Sequence, residues 1–198
     1  MRIPHAFCAV VLCAASAFAA HAQQSTSSNL VKAPTGVSKL PGGMNFNYDA
    51  QHGLITATGV QLKTTTQKSN SVSPTTGTIQ LTINIKVLSH FETGTTYHCS
   101  VYALGGILDT DTATVDGGLE NANTFAVGSG GSYTCTVKIP YSWTLPHDPG
   151  ADSGLILAFG AAAVNPHSEV EHSTLQLDGV ENLPANGATS TFTFNVAL

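Results

Sequence analysis

The chain is 198 residues long and carries twelve carboxylates against seven basic residues, for a formal charge of −5. That balance disfavours electrostatic capture of nucleic acid or of an anionic membrane. Only 10% of the residues are charged, while Thr, Gly, Val and Ser abound, a composition that favours strands and turns over helices.

In chain order, the first segment reads MRIPHAFCAVVLCAASAFAAHA: one Arg, an apolar run, and an Ala20-His21-Ala22 end. These are the parts of a secretory signal peptide, expected over residues 1–22. Phe7 precedes Cys8 and Leu12 precedes Cys13, so neither cysteine has the small residue in front of it that a lipid-anchor signal needs. No later stretch reaches membrane-spanning length, so no membrane span is expected. Removal of residues 1–22 takes away Arg2 and two of the four cysteines, leaving six lysines against twelve carboxylates, a formal charge of −6, and Cys99 with Cys135. Two cysteines in an exported chain predict one disulfide. No N-x-Ser/Thr acceptor is present, and with the short signal this fits a bacterial periplasmic or extracellular protein.

Residues 23–43, QQSTSSNLVKAPTGVSKLPGG, lack periodicity and read as a flexible leader or linker. The remaining residues, 44–198, are one domain's worth. Short strands are expected over Leu54–Val60, Thr112–Val115 and Asn123–Val127, separated by Gly, Asn and Pro turns. Strict alternation marks Thr78–Val87, with Ile79, Leu81, Ile83, Ile85 and Val87 on one face. It marks Tyr97–Ala103 too, with Tyr97, Cys99, Val101 and Ala103 together, and Thr191–Leu198, with Phe192, Phe194, Val196 and Leu198 together. Ser153–Val164, SGLILAFGAAAV, is apolar on both faces and reads as a covered central strand. In YTCTVKIPYSW the alternation puts Tyr133, Cys135, Val137, Ile139, Tyr141 and Trp143 on one side, so the two cysteines can meet in a core walled by rings.

Seven to nine short strands with turns between them predict an all-β fold, an antiparallel β-sandwich with one disulfide. At this level residues 44–198 resemble the immunoglobulin-like superfold. The order differs from the antibody type, because Trp143 follows both cysteines.

Four stretches offer candidate chemistry. HSEVEH holds His167, Glu169, Glu171 and His172, ligand types suited to a transition metal, with a solvated loop as the alternative. Asp109, Asp111 and Asp116 could give oxygens to calcium, but the spacing lacks a third acidic position and a closing Glu. GSGGS, residues 128–132, has neither nucleophile-elbow order nor a P-loop lysine. Pro140 lets the cysteine strand end near an edge, which would make Tyr141 and Trp143 a ligand platform instead of core. No catalytic or cofactor motif is present, and no cofactor is implied.

The function expected from these features is that of an exported non-enzymatic sandwich of the envelope or secretome that binds a protein or glycan partner. A fimbrial-type subunit is the alternative: such subunits also combine a signal, a sandwich and one disulfide, and TGTIQLTINIKV with TFTFNVAL looks like their donor and acceptor strands. An exported hydrolase or metal-binding protein is the third reading.

Overall fold

The computed structural model describes residues 43–62, 75–109, 114–144, 153–181 and 185–198, and these contain eleven strands. The expected signal segment and nearly all of the leader lie outside these residues. Two strands, β1 (Asn45–Asp49) and β2 (Leu54–Thr58), form a hairpin of their own. Five more form a sheet in the order β10 (Val170–Glu181), β9 (Ser153–Val164), β5 (Thr96–Asp109), β6 (Thr114–Phe125), β3 (Gln61–Leu62). The last four form a second sheet in the order β11 (Thr189–Ala197), β4 (Thr75–Lys86), β8 (Ser132–Trp143), β7 (Val127–Ser129).

The alternating patterns decide how these layers stack. Ile79, Leu81, Ile83 and Ile85 of β4 meet Cys135, Val137 and Ile139 of β8 and Cys99, Val101 and Ala103 of β5 in the main core. The odd-numbered residues of β9, Leu155 to Ala163, close it from the five-stranded sheet, beside β5. The even-numbered Ile156 and Ala158 face the other way, into a smaller core with Met44, Ile55, Tyr102, Leu104, Val115 and Leu177 beneath the hairpin. The apolar run of β9 is thus the middle of three layers: hairpin, five-stranded sheet, four-stranded sheet. Both of its faces are covered, as its composition requires.

Three expectations change. Two pairings are parallel, β11 with β4 and β3 with β6, so the sheets are mixed. The described residues hold eleven strands, not seven to nine. The two short strands expected around residues 112–127 are one strand to Phe125, because the glycine pair between them, Gly117-Gly118, stays in the ladder opposite Gly106 and Gly105. After Ala126 the same chain crosses into the four-stranded sheet as β7, tying the two layers at that flank. Among the described residues no helix is long and apolar enough to cross a membrane.

Candidate functional site

Cys99 on β5 and Cys135 on β8 are joined in a disulfide, Cα atoms 6.2 Å apart, that bridges the two sheets inside the main core. Along β8 every second residue from Cys135 to Trp143 is buried, so the rings follow the cysteine inward. Tyr141 is 5% and Trp143 3% exposed, their ring centroids 4.4 Å apart. A platform needs an open ring face, and neither ring presents one. Pro140 sits on the exposed side of the strand and does not turn its neighbours outward.

Glycines explain how such large rings fit between sheets. The indole of Trp143 lies over Gly105 and Gly118, register partners on β5 and β6, and a methyl group on either would run into it. Tyr141 lies over its own register partner Gly77 in the same manner, and Tyr48 of the hairpin packs within 2.8 Å of where a methyl of Gly160 would stand. One glycine of each facing pair, Gly105 and Gly118, and the single Gly77 and Gly160 thus make room for aromatic rings. Burial pushes the Tyr141 phenol above its ordinary pKa, and among the described residues neither its OH nor the Trp143 Nε1 has a hydrogen-bond partner.

Of HSEVEH, His167 and Glu169 fall in the turn between β9 and β10, and Glu171 and His172 lie at the start of β10. There Asn165 Oδ1 accepts hydrogen bonds from the His167 and Glu169 amides, at 3.0 and 2.9 Å, and Ser168 takes the left-handed backbone of the turn at φ 65°. Glu171 accepts from the Glu92 amide at 3.1 Å and from Thr95 Oγ1 at 2.6 Å, fastening the loop before β5. His167 Nε2 lies 3.6 Å from Glu92 Oε1, and His172 is exposed. Among the described residues no three His, Cys, Asp or Glu are grouped to hold a metal. Of the three aspartates weighed for calcium, Asp111 lies outside the described residues, as does the side chain of Asp109, and Asp116 is part of β6.

The sheet face opposite the disulfide is where the hairpin docks. His98 Nε2 donates to the Ala50 carbonyl at 2.8 Å, Asn123 Nδ2 to the Gly53 carbonyl at 3.3 Å, and Ser100 Oγ to Tyr48 Oη at 3.4 Å. Burial lowers the His98 pKa below its ordinary 6.5, partly offset by the bond to Ala50. Burial likewise holds the Tyr48 phenol up at about 12, against the opposing pull of Ser100. These groups fasten one element of the protein to another.

Among the described residues, the open features of the sandwich are its edges. An unpaired strand edge is a row of backbone donors and acceptors ready for another strand, and proteins usually blunt such edges with shortness, charge, proline or bulges. The β10 edge carries Glu171, His172 and Asp178 and has two register shifts against β9. The edges at β3 and β7 are two and three residues long; behind them β6 carries Asp116 and Glu120, and β8 carries Lys138 and Pro140. The β11 edge differs on every count. Nine residues, TSTFTFNVA, pair with β4 in unbroken register and hold no charge, proline or glycine. Its ends are pinned: Thr78 N donates to Ala188 O at 3.0 Å, Gly187 N to Thr76 O at 2.7 Å and Leu198 N to Lys86 O at 3.0 Å. Phe192 and Phe194 remain only part-buried against the main core, Phe194 stacked on Phe159 at 4.0 Å. The sequence showed the alternation of this strand. That it is an edge is a matter of topology. No protein-family model, no curated protein and no solved structure matches the chain.

Proposed function

We propose that the chain is an exported β-sandwich that works by binding a protein partner through strand addition at β11. The observation that carries this reading is the contrast between edges: among the edges of the described residues, β11 alone is long, held at both ends, uncharged and free of bulges. Backbone groups along an edge are complementary to another backbone and much less to a glycan ring, so the partner contributes an extended protein segment. The signal-like leader and the disulfide fit an exported setting, where extended segments of envelope proteins are accessible.

A fimbrial-type subunit is the second reading, favoured by the same edge, because strand addition between copies would build a structural assembly. The test is a pair of arrays, one of extended peptides with alternating apolar residues and one of glycans, probed with the wild type and with Thr193→Pro. Binding of peptides that Thr193→Pro abolishes is expected. Binding confined to glycans and unaffected by Thr193→Pro would rule out β11 as the docking element.

A further inference from the structure

We infer that the occupant of the β11 edge is the β11 of a second copy, the two strands running antiparallel about a two-fold axis through Thr193 and joining two four-stranded sheets into one of eight strands. The inference rests on the reading of β11 as a docking edge and names its partner.

The strand is complementary to itself. With Thr193 opposite Thr193 of the second copy, Phe192 falls opposite Phe194, Thr191 opposite Asn195, Ser190 opposite Val196 and Thr189 opposite Ala197. Every pair then keeps its face. The inward residues Ser190, Phe192, Phe194 and Val196 meet inward residues, and the exposed Thr189, Thr191, Thr193, Asn195 and Ala197 meet exposed ones. An isologous contact demands this match, and a one-residue slip would destroy it. Aromatic and Thr–Thr cross-strand pairs are also among those that stabilise an antiparallel ladder. The flanks of Phe192 and Phe194 that the core leaves uncovered would be covered by the same two rings of the second copy.

Charge also favours this edge. Beyond residue 22 the chain carries a formal −6, so two copies repel wherever carboxylates face each other. The β11 strand has none, and the outer face it shares with β4 and β8 carries Lys86 and Lys138 but no carboxylate. Asn84 Nδ2 donates to Asn195 Oδ1 at 3.1 Å and Thr134 Oγ1 to Asn84 Oδ1 at 3.3 Å, so that face is tied across three strands up to the seam. Two like-charged copies therefore meet at β11 without facing carboxylates.

The test uses the exported chain, residues 23–198, with its disulfide intact, in sedimentation velocity over a dilution series. A dimer that dissociates to monomer on dilution is expected. Thr193 is exposed, so Thr193→Lys and Thr193→Glu leave the core untouched, which thermal melts verify. Either change places like charges face to face at the axis and should weaken the dimer by about fivefold or more. Mixing the two variants should restore association as a heterodimer, which places position 193 of each copy beside the other across the seam. Thr193→Cys should cross-link to itself under mild oxidation, whereas Thr189→Cys should cross-link only to Ala197→Cys. The inference is overturned by a wild type that stays monomeric with no Thr193→Cys cross-link, by a dimer indifferent to Thr193→Lys, by oligomers longer than two, or by association that is lost when residues 23–42 are removed. A monomer that still captures a synthetic TSTFTFNVA peptide, and loses it on Thr193→Pro, would overturn the dimer while leaving β11 as the docking edge.

Discussion

Trp143 and Gly118 share one volume between the sheets: the indole fills the space a side chain on β6 would otherwise take, and Gly105 yields the same space from β5. Removing the ring leaves a slot lined by backbone, which is paired in the ladder and has little freedom to collapse. Trp143→Ala should therefore lower stability by about 3 to 5 kcal/mol. Gly118→Ala should cost about 1 to 3 kcal/mol by overpacking, since rigid neighbours must shift to admit the methyl. The informative measurement is the double variant in urea melts. With the indole gone the alanine methyl has room, so Gly118→Ala in the Trp143→Ala background should be neutral or stabilising. Additive losses would show that the ring and the glycine do not compete for one space.

The hairpin of β1 and β2 depends on a few polar contacts at its tip as well as on the apolar patch beneath it, and His98 makes it sensitive to acid. The folded-state pKa of His98 lies below its ordinary 6.5 because burial disfavours the charged ring. The unfolded chain therefore takes up the proton more readily, so this contribution to stability is fully present above 6.5 and is lost as the pH falls from there toward the folded-state value. Between about pH 8 and about pH 5 the wild type should lose stability that His98→Gln, which keeps a donor for Ala50 but does not titrate, retains. Equal losses in the two proteins would remove His98 from the account. The elements that carry this contact were unevenly legible in the sequence. Period-two alternation disclosed the inward faces of β4, β5, β8 and β11, because each buries one face of a sheet against the main core. It did not disclose that the other face of β5, with His98, Ser100 and Tyr102, is covered too, since polar residues facing a docked hairpin resemble polar residues facing water. β10 was missed for a related reason: as an edge strand it mixes charged and apolar residues and is bent by two bulges, which hides its period. The ring slot at Gly118 fell where the sequence reads as a turn between two short strands, because a glycine that makes room and a glycine that bends the chain are the same letter.

Across the whole molecule the two sheets are held by the core, by the chain crossing from β6 into β7, and by the single covalent bridge from β5 to β8. The bridge closes a loop of sequence separation 36, which contains β6 and β7. In the chain-entropy account such a closure acts on the unfolded state, by removing conformations that the open chain would explore, and is worth about 4 kcal/mol for a loop of this length. The apolar residues that share the core with the sulfurs, Val101, Val137 and Ile83 among them, are packed by burial rather than by the bond. Replacing both cysteines with alanine should thus leave the fold and the spectrum of buried Trp143 nearly unchanged while lowering the urea midpoint substantially. The slope of the transition should rise at the same time, because the unbridged unfolded chain is more expanded and exposes more surface. That pairing of a lower midpoint with a steeper slope separates an effect on the unfolded ensemble from one on native packing. A lower midpoint with an unchanged slope and a red-shifted Trp143 would mean instead that the bridge holds the sheets at their distance, and that the ring slots open when it is gone.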